Sequence, residues 1–294
     1  MPRIRHLALA IVAGLALAVA IDIGRAGGPA AWLATRRLAP PYDARGTLVD
    51  VGGRDLYLDC RGQGRPTVVL EAGMGDTAAG WTPVHDAIAA TTRTCAYDRA
   101  GRGRSDPRGR HTLADAATDL RALLSAAGER GPFVIVGHSL GGCYARVFAA
   151  AYRDEVVGLV SVDAFDPDLQ TAYVHPHLGS LEPEYETNLD ALRDLVARVE
   201  ALDWTASEAQ LAAADLRGLP IEVLRAPRVE PRLDAAANAA IAAAIERSYT
   251  DLSPGTVRFE LAWGAGHMIQ VDRPDLVIAA TRRLVDGARE AGLP

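Results

Sequence analysis

The sequence predicts an α/β protein built on a mostly parallel, doubly wound sheet of eight strands. Short apolar runs alternate with segments whose apolar residues recur at helical spacing, as in a parallel sheet covered on both faces. The stretch from Val134 to Gly142 has a strand–turn–helix pattern with a serine between glycines at its turn. An apolar fraction of 49% with 23% charged residues is typical of a globular chain.

The strands can be assigned in chain order. Residues 47–51 and 54–60 alternate around Gly52-Gly53, which predicts a β-hairpin. Six further runs are short and apolar, as expected of buried strands. These runs are residues 67–71, 93–97, 133–136, 156–162, 221–224 and 257–262.

Helical spacing predicts the segments between those strands. Thr112 and Asp115 are placed to cap a helix over residues 112–127. The other predicted helices are residues 144–152, 189–202, 233–249 and 275–285. The interval 165–219 has helical patterns and no strand, so it is predicted to be a lid over the carboxyl edge of the sheet. The competing interpretation is an ordinary helical excursion facing solvent.

The first 41 residues form a separate segment, and residues 42–294 form the predicted domain. Arg3, Arg5 and His6 precede an apolar run over 7–21, and Pro40-Pro41 reads as a linker. A basic flank before fifteen apolar residues is typical of a signal peptide, while an uncleaved run would serve as a short membrane anchor. The expected location is therefore exported: secreted, periplasmic or attached to a membrane by residues 7–21.

Composition excludes several classes of function. The formal charge is −6 without a basic run in the body, so nucleic acid is not an expected partner. Every one of the 31 basic residues is arginine, which excludes a P-loop lysine, a Schiff-base lysine and a Ser-Lys dyad. The sequence has three cysteines and no Cys-x-x-Cys, which argues against a zinc or iron–sulfur site. The expected chemistry requires no metal or organic cofactor.

A serine nucleophile needs a base to accept its proton and an acid to orient that base. Ser139 is the candidate nucleophile, because Gly137 and Gly141 leave space at a turn that lifts the hydroxyl to the sheet edge. In this topology the histidine comes last, and His267 follows the last predicted strand among loop glycines. The other histidines lie in the N-terminal segment, before or beside the serine, or in the predicted lid.

The acid is the member that the residues leave open. Its usual place is the turn after strand 221–224, which has no aspartate at the strand tip but carries Glu230 and Asp234. Strand 156–162 instead ends directly in Asp163, which we take as the candidate acid; a capping role is the competing interpretation. The oxyanion hole is expected from two backbone N–H groups, those of Leu140 and Met74.

Three motifs together resemble the α/β-hydrolase fold superfamily. They are the Gly-His-Ser-Leu-Gly-Gly around Ser139, the Gly-His-Met at His267 and the Tyr-Asp-Arg-x-Gly-x-Gly-x-Ser loop over 97–105. The resemblance covers residues 43–293, and it implies that the insertion follows the sixth strand. Some members, including haloalkane dehalogenases, carry the acid after that strand, as Asp163 would be here. The chain departs from the dehalogenases in having a serine nucleophile and Leu140 in place of tryptophan, so dehalogenation is not expected.

The resemblance also implies a disulfide. In this fold the second strand is antiparallel and lies beside the fourth, so Cys60 and Cys95 should face each other and form a bridge in an exported protein. Two buried free thiols are the alternative, and Cys143 is expected in the core. Ala72 replaces the histidine that often precedes the oxyanion loop, so any role of that side chain is absent.

The expected function is hydrolysis of an ester-like bond in a small to medium, partly apolar substrate, through an acyl-enzyme. The predicted lid is rich in Leu, Tyr and Trp beside its polar residues. The same residues would serve amide, lactone or carbon–carbon bond hydrolysis, or acyl transfer. A ligand-binding protein without turnover is the third hypothesis.

Overall fold

The computed structural model describes residues 45–292, and eight strands form one sheet within them. In chain order the strands are β1 Thr47–Asp50, β2 Asp55–Arg61, β3 Thr67–Glu71, β4 Thr94–Tyr97, β5 Phe133–His138, β6 Val156–Val162, β7 Ile221–Arg225 and β8 Val257–Leu261. Their spatial order is β1-β2-β4-β3-β5-β6-β7-β8. β2 runs antiparallel to both β1 and β4, and the remaining pairs are parallel. The predicted fold class is confirmed.

The described residues form nine α-helices, seven between strands and two after the last strand. They are α1 Thr82–Ala89, α2 Leu113–Ala126, α3 Gly141–Ala151, α4 Pro167–Val174, α5 Glu182–Glu200, α6 Trp204–Ala212, α7 Ala235–Leu252, α8 Ile269–Asp272 and α9 Pro274–Glu290. The sequence pattern missed α1, α4, α6 and α8, because each has nine residues or fewer and shows too little periodicity. It also started α5 seven residues late, at 189 instead of Glu182.

The sheet is covered on both faces, and alternate strand residues point to opposite cores. Val69 and Ile135 pack on the side of α2, α3 and the helices inserted after β6. Val68 and Val134 pack on the side of α1 and α9. This alternation explains why the central strands are apolar at every position.

Helix α2 begins with the predicted caps. The Asp115 backbone N–H donates to Thr112 Oγ1 at 3.2 Å, and the Thr112 backbone N–H donates to Asp115 Oδ2 at 2.9 Å. Such a reciprocal capping box satisfies two amide groups that the helix itself leaves without acceptors.

Helices α4, α5 and α6 occupy the interval between β6 and β7. Leu189, Leu192 and Val196 of α5 are buried in the same core as α2 and α3. Farther along, the Leu113 N–H at the start of α2 donates to Ser207 Oγ of α6 at 3.2 Å. The inserted segment is therefore packed on the domain and hydrogen-bonded to it.

A disulfide joins Cys60 of β2 to Cys95 of β4, with an S–S distance of 2.02 Å. The two residues are direct partners in the antiparallel register of these strands. The predicted bridge is confirmed, and Cys143 is a buried free thiol whose Sγ donates to the Phe165 carbonyl at 2.8 Å.

The predicted signal or anchor segment, residues 1–41, lies outside the described residues. Among residues 45–292, no helix has both the length and the apolar character needed to cross a membrane.

Candidate active site

Ser139 lies at the sharp turn between β5 and α3, with a backbone φ of +52°. Its N–H donates to the Val162 carbonyl at 3.1 Å, and its own carbonyl accepts from the Phe165 N–H at 3.0 Å. A non-glycine residue in the left-handed region is strained unless its surroundings hold it there. Here the end of β6 holds it through two backbone hydrogen bonds.

Two glycines beside the serine are required by close backbone contact. A Cβ on Gly137 would lie 2.6 Å from the Gly141 carbonyl oxygen, and one on Gly141 would lie 2.4 Å from the Glu71 carbonyl oxygen. Since the obstructing atoms belong to the backbone, larger residues would displace the turn. Because both positions are glycine, the backbone can turn sharply at Ser139 and α3 begins two residues after it, at Gly141.

His267 reaches Ser139 from the loop after β8. Its Nε2 accepts from the Ser139 hydroxyl at 3.0 Å, and its Nδ1 donates to Asp163 Oδ2 at 2.7 Å. The three side chains are almost enclosed: 5% of Ser139, 7% of His267 and none of Asp163 is exposed. A proton on Nδ1 leaves the Nε2 lone pair facing the hydroxyl, which is the arrangement that general-base activation of serine requires.

Asp163 follows β6 directly, with a φ of +42°. The Ala226 N–H donates to its Oδ1 at 3.2 Å, and the Arg228 guanidinium pairs with its Oδ2. Arg225 Nε lies 3.6 Å from Oδ1. Burial raises the pKa of this carboxyl, but the Arg228 and Arg225 charges and the His267 hydrogen bond outweigh burial and hold the pKa well below its usual range.

The two alternative acids are engaged elsewhere. Glu230 pairs with Arg232 at 2.7 Å, and Asp234 caps α7 by accepting from the Ala237 N–H at 2.8 Å. The structure thus brings Asp163 to His267 and leaves the other two carboxylates in local structural contacts.

The residue before the nucleophile supports the base. His138 Nε2 lies 3.0 Å from the His267 carbonyl oxygen, so this nitrogen carries the proton and donates. The two imidazole rings pack with their centroids 4.7 Å apart. The sequence pattern did not predict this contact, since His138 was set aside as a base because it lies beside the serine.

The candidate oxyanion loop, residues 72–76, lies against the nucleophile. A Cβ on Gly73 would lie 3.4 Å from Ser139 Cβ, so the backbone of this loop passes close to the serine. Among residues 45–292, neither the Met74 nor the Leu140 N–H donates to another protein group. Both amides have a hydrogen to donate to a developing oxyanion.

Buried charges fix this loop on both sides of Met74. Arg99 donates to the Ala72 and Gly73 carbonyls at 2.5 and 2.8 Å, and the Gly75 N–H donates to Glu200 Oε1 at 2.6 Å. Arg99 also pairs with Glu200 at 3.1 Å. Glu200 is the last residue of α5, so the inserted segment contributes directly to the geometry of the loop.

One group of residues within 45–292 has the spacing of a metal site, namely Cys60, Cys95 and Glu129. The two cysteines form the disulfide, so neither sulfur is a thiolate that could bind a metal ion.

A sequence model of the family described as alpha/beta hydrolase fold matches residues 66–229. The chain is 33% identical over 147 residues to "Probable transporter efuK" of Hormonema carpetanum, covering 47% of this chain and 20% of that protein. It is 32% identical over 174 residues to "AB hydrolase superfamily protein" of Gibberella zeae. That match covers 54% of this chain and 51% of that protein. The chain thus spans about a fifth to about half of these curated relatives.

Among solved structures, a thermophilic esterase from Thermogutta terrifontis superposes with a TM-score of 0.54. The identity is 21%, and the match covers 83% of this chain and 98% of the esterase. At this level of identity the likeness concerns the fold.

Proposed function

Because the chain belongs to the alpha/beta hydrolase fold family, we propose that it is a serine hydrolase that cleaves an ester-like bond in a small to medium, partly apolar substrate. One observation carries the proposal: hydrogen bonds run without a break from Ser139 Oγ through His267 to Asp163. Each group stands in the order that acyl transfer by serine needs.

In the first half-reaction, Ser139 Oγ attacks the carbonyl carbon while His267 Nε2 accepts the hydroxyl proton. Asp163 stabilises the imidazolium through Nδ1 and remains ionised, consistent with its lowered pKa. The Met74 and Leu140 amides stabilise the tetrahedral oxyanion. When it collapses, the imidazolium gives its proton to the leaving alkoxide and the acyl group stays on Ser139.

The second half-reaction returns the enzyme to its starting state. A water molecule gives a proton to His267 Nε2 and attacks the acyl carbon, and the carbonyl oxygen again becomes the oxyanion. Collapse breaks the bond to Ser139 Oγ, which recovers its proton from the imidazolium as the acid product leaves.

The proposed substrate class depends on the segment after β6, which we propose acts as a lid. Phe165, Trp204 and Leu189 are among its buried apolar residues, with the Phe165 and Trp204 rings 5.9 Å apart. The Phe165 backbone N–H donates a hydrogen bond to the Ser139 carbonyl. The apolar character of this segment beside the nucleophile supports a substrate with an apolar acyl or alcohol part.

We also propose that the chain is exported: secreted, periplasmic or attached to a membrane by residues 7–21. The Cys60–Cys95 disulfide supports an oxidising compartment. Fractionation of cells that express the full chain, with a non-reducing mass measurement of each fraction, tests the location.

A fluorophosphonate probe tests the mechanism. The wild-type chain should be labelled on one serine, and Ser139→Ala should lose the label. Ser125→Ala is the matched control, because Ser125 is exposed on α2 away from the site. A panel of p-nitrophenyl esters of increasing chain length then measures kcat/KM and the preferred acyl group.

Each other outcome points to a different function. Labelling without turnover of the esters directs the search to amides, lactones, carbon–carbon bonds or acyl acceptors other than water. Absence of labelling in the folded wild-type chain would contradict the proposal and favour a ligand-binding role.

A further inference from the structure

One oxygen of the Asp163 carboxylate accepts from two donors, the His267 imidazole and the Arg228 guanidinium. Oδ2 accepts from His267 Nδ1 at 2.7 Å and also pairs with the Arg228 guanidinium. Two donors on one oxygen lie roughly 4–5 Å apart when each bond has ordinary length and direction. The charge of Arg228 is therefore a close neighbour of the imidazole, and Ser-His-Asp chemistry does not itself require it.

Arg228 differs from the second arginine at this carboxylate. Arg225 is buried, and its Nη1 donates to the Ala164 carbonyl at 2.7 Å, so it has a structural role in the turn after β6. The Arg228 side chain is 30% exposed and lies on the turn after β7, at the rim of the triad. It can be replaced without leaving a cavity in the core.

We propose that Arg228 is a positioning residue that lowers the basicity of His267 and so extends activity toward lower pH; this rests on the proposed function. A fixed positive charge disfavours the imidazolium, and an ion pair on Oδ2 takes part of the carboxylate charge that would stabilise it. His267 must be neutral to accept the Ser139 proton. With Arg228 present, the neutral imidazole persists to lower pH.

The other groups that face His267 do not supply this effect. Ser139 stays neutral, Asp163 is the bound counterion, and His138 contacts the carbonyl and ring of His267. Arg225 approaches the far oxygen of Asp163, and Asp272 of α8 accepts from the Gly266 N–H at 2.7 Å. Arg228 is the arginine that pairs with Asp163 Oδ2, the same oxygen that accepts from His267.

The test is the pH profile of kcat/KM for Arg228→Gln with a neutral p-nitrophenyl ester. The acid limb should move upward by about one pH unit, for a charge a few ångströms away that is partly screened by solvent. Arg228→Lys keeps the charge and should stay near the wild-type limb. Arg217→Gln changes the net charge equally at an exposed site paired with Asp215, and should leave the limb in place.

NMR titration of the His267 imidazole in a Ser139→Ala background gives a readout without turnover. The Arg228→Gln change should raise the imidazole pKa there by a similar amount. If turnover is absent but the titration moves, the inference stands and the proposed function fails. If turnover is present and neither readout moves, the inference is wrong.

Arg228→Met, which retains the apolar stem, replaces Arg228→Gln if the glutamine variant does not fold. A shift equal to that of Arg217→Gln would also overturn the proposal, because a general loss of charge would then explain it.

Discussion

At the scale of single residues, the candidate acid of this site lies one strand earlier than its usual place. Asp163 directly follows β6, and its backbone N–H donates to the Leu224 carbonyl of β7 at 2.7 Å. On the opposite side of β6, where β5 lies, the Ser139 N–H donates a hydrogen bond to the Val162 carbonyl at the same strand end. Nucleophile and acid are therefore positioned by the backbone of neighbouring strands, and their separation is set by the spacing of the sheet.

Asp163→Asn should lower kcat by about four orders of magnitude, since an amide does not hold His267 in the required tautomer. Steady-state kinetics with a p-nitrophenyl ester measures this. Glu230→Gln is the matched control, because Glu230 pairs with Arg232 and not with His267. Near-normal turnover of Asp163→Asn with a large loss in Glu230→Gln would show that the acid is the later residue.

Asp163→Asn should also lower the free energy of unfolding near neutral pH. The folded-state pKa of Asp163 is below its unfolded value, so this carboxylate stabilises the fold above the unfolded pKa. That contribution is lost as the pH falls through the folded pKa. Asparagine leaves Arg225 and Arg228 without their counterion, at a cost of about 3–5 kcal/mol for a broken buried pair. Guanidinium unfolding at pH 7 checks the loss.

At the scale of elements, α5 contributes to the candidate oxyanion loop through Glu200. We expect Glu200→Gln to reduce kcat by roughly 10- to 100-fold, less than the loss of a whole oxyanion donor, with a smaller change in KM. Asp194→Asn, an exposed carboxylate on the same helix, should change neither constant. An unchanged kcat with a lower unfolding midpoint would assign Glu200 a purely structural role.

Elements with strong patterns could be predicted from the sequence, and contacts between distant side chains could not. The strands are apolar because both faces of the sheet are buried, and Ser139 and His267 stand in recognisable loops. Asp163 could be selected by its place at a strand end. The contacts of Arg228 and Glu200 could not, since all 31 basic residues are arginines and nothing local shows which of them pairs with a distant carboxylate.

At the scale of the whole molecule, the disulfide ties the antiparallel edge of the sheet to the parallel part. It closes a loop with a sequence separation of 35 residues. The chain-entropy relation gives about 4 kcal/mol for a loop of that size. Cys60→Ala combined with Cys95→Ala should lower the free energy of unfolding by about this amount, measured in guanidinium.

Thiol counting provides an independent check of the bridge. Unreduced, denatured protein should show one alkylatable thiol, that of Cys143, by intact mass. Three thiols would contradict the pairing. A dithiothreitol-treated wild-type sample should give three and serves as the control.

The candidate base, His267, follows an edge strand of the sheet, whereas Ser139 and Asp163 follow central strands. β8 pairs with β7 alone, and no residue of β8 is buried, while β5 and β6 have neighbours on both sides. Segments with few buried apolar contacts open at lower free energy than core strands. Warming should therefore detach His267 while Ser139 and Asp163 are still in place. Thermal inactivation would then begin as a reversible local opening, in which catalysis stops at a temperature below that of global unfolding.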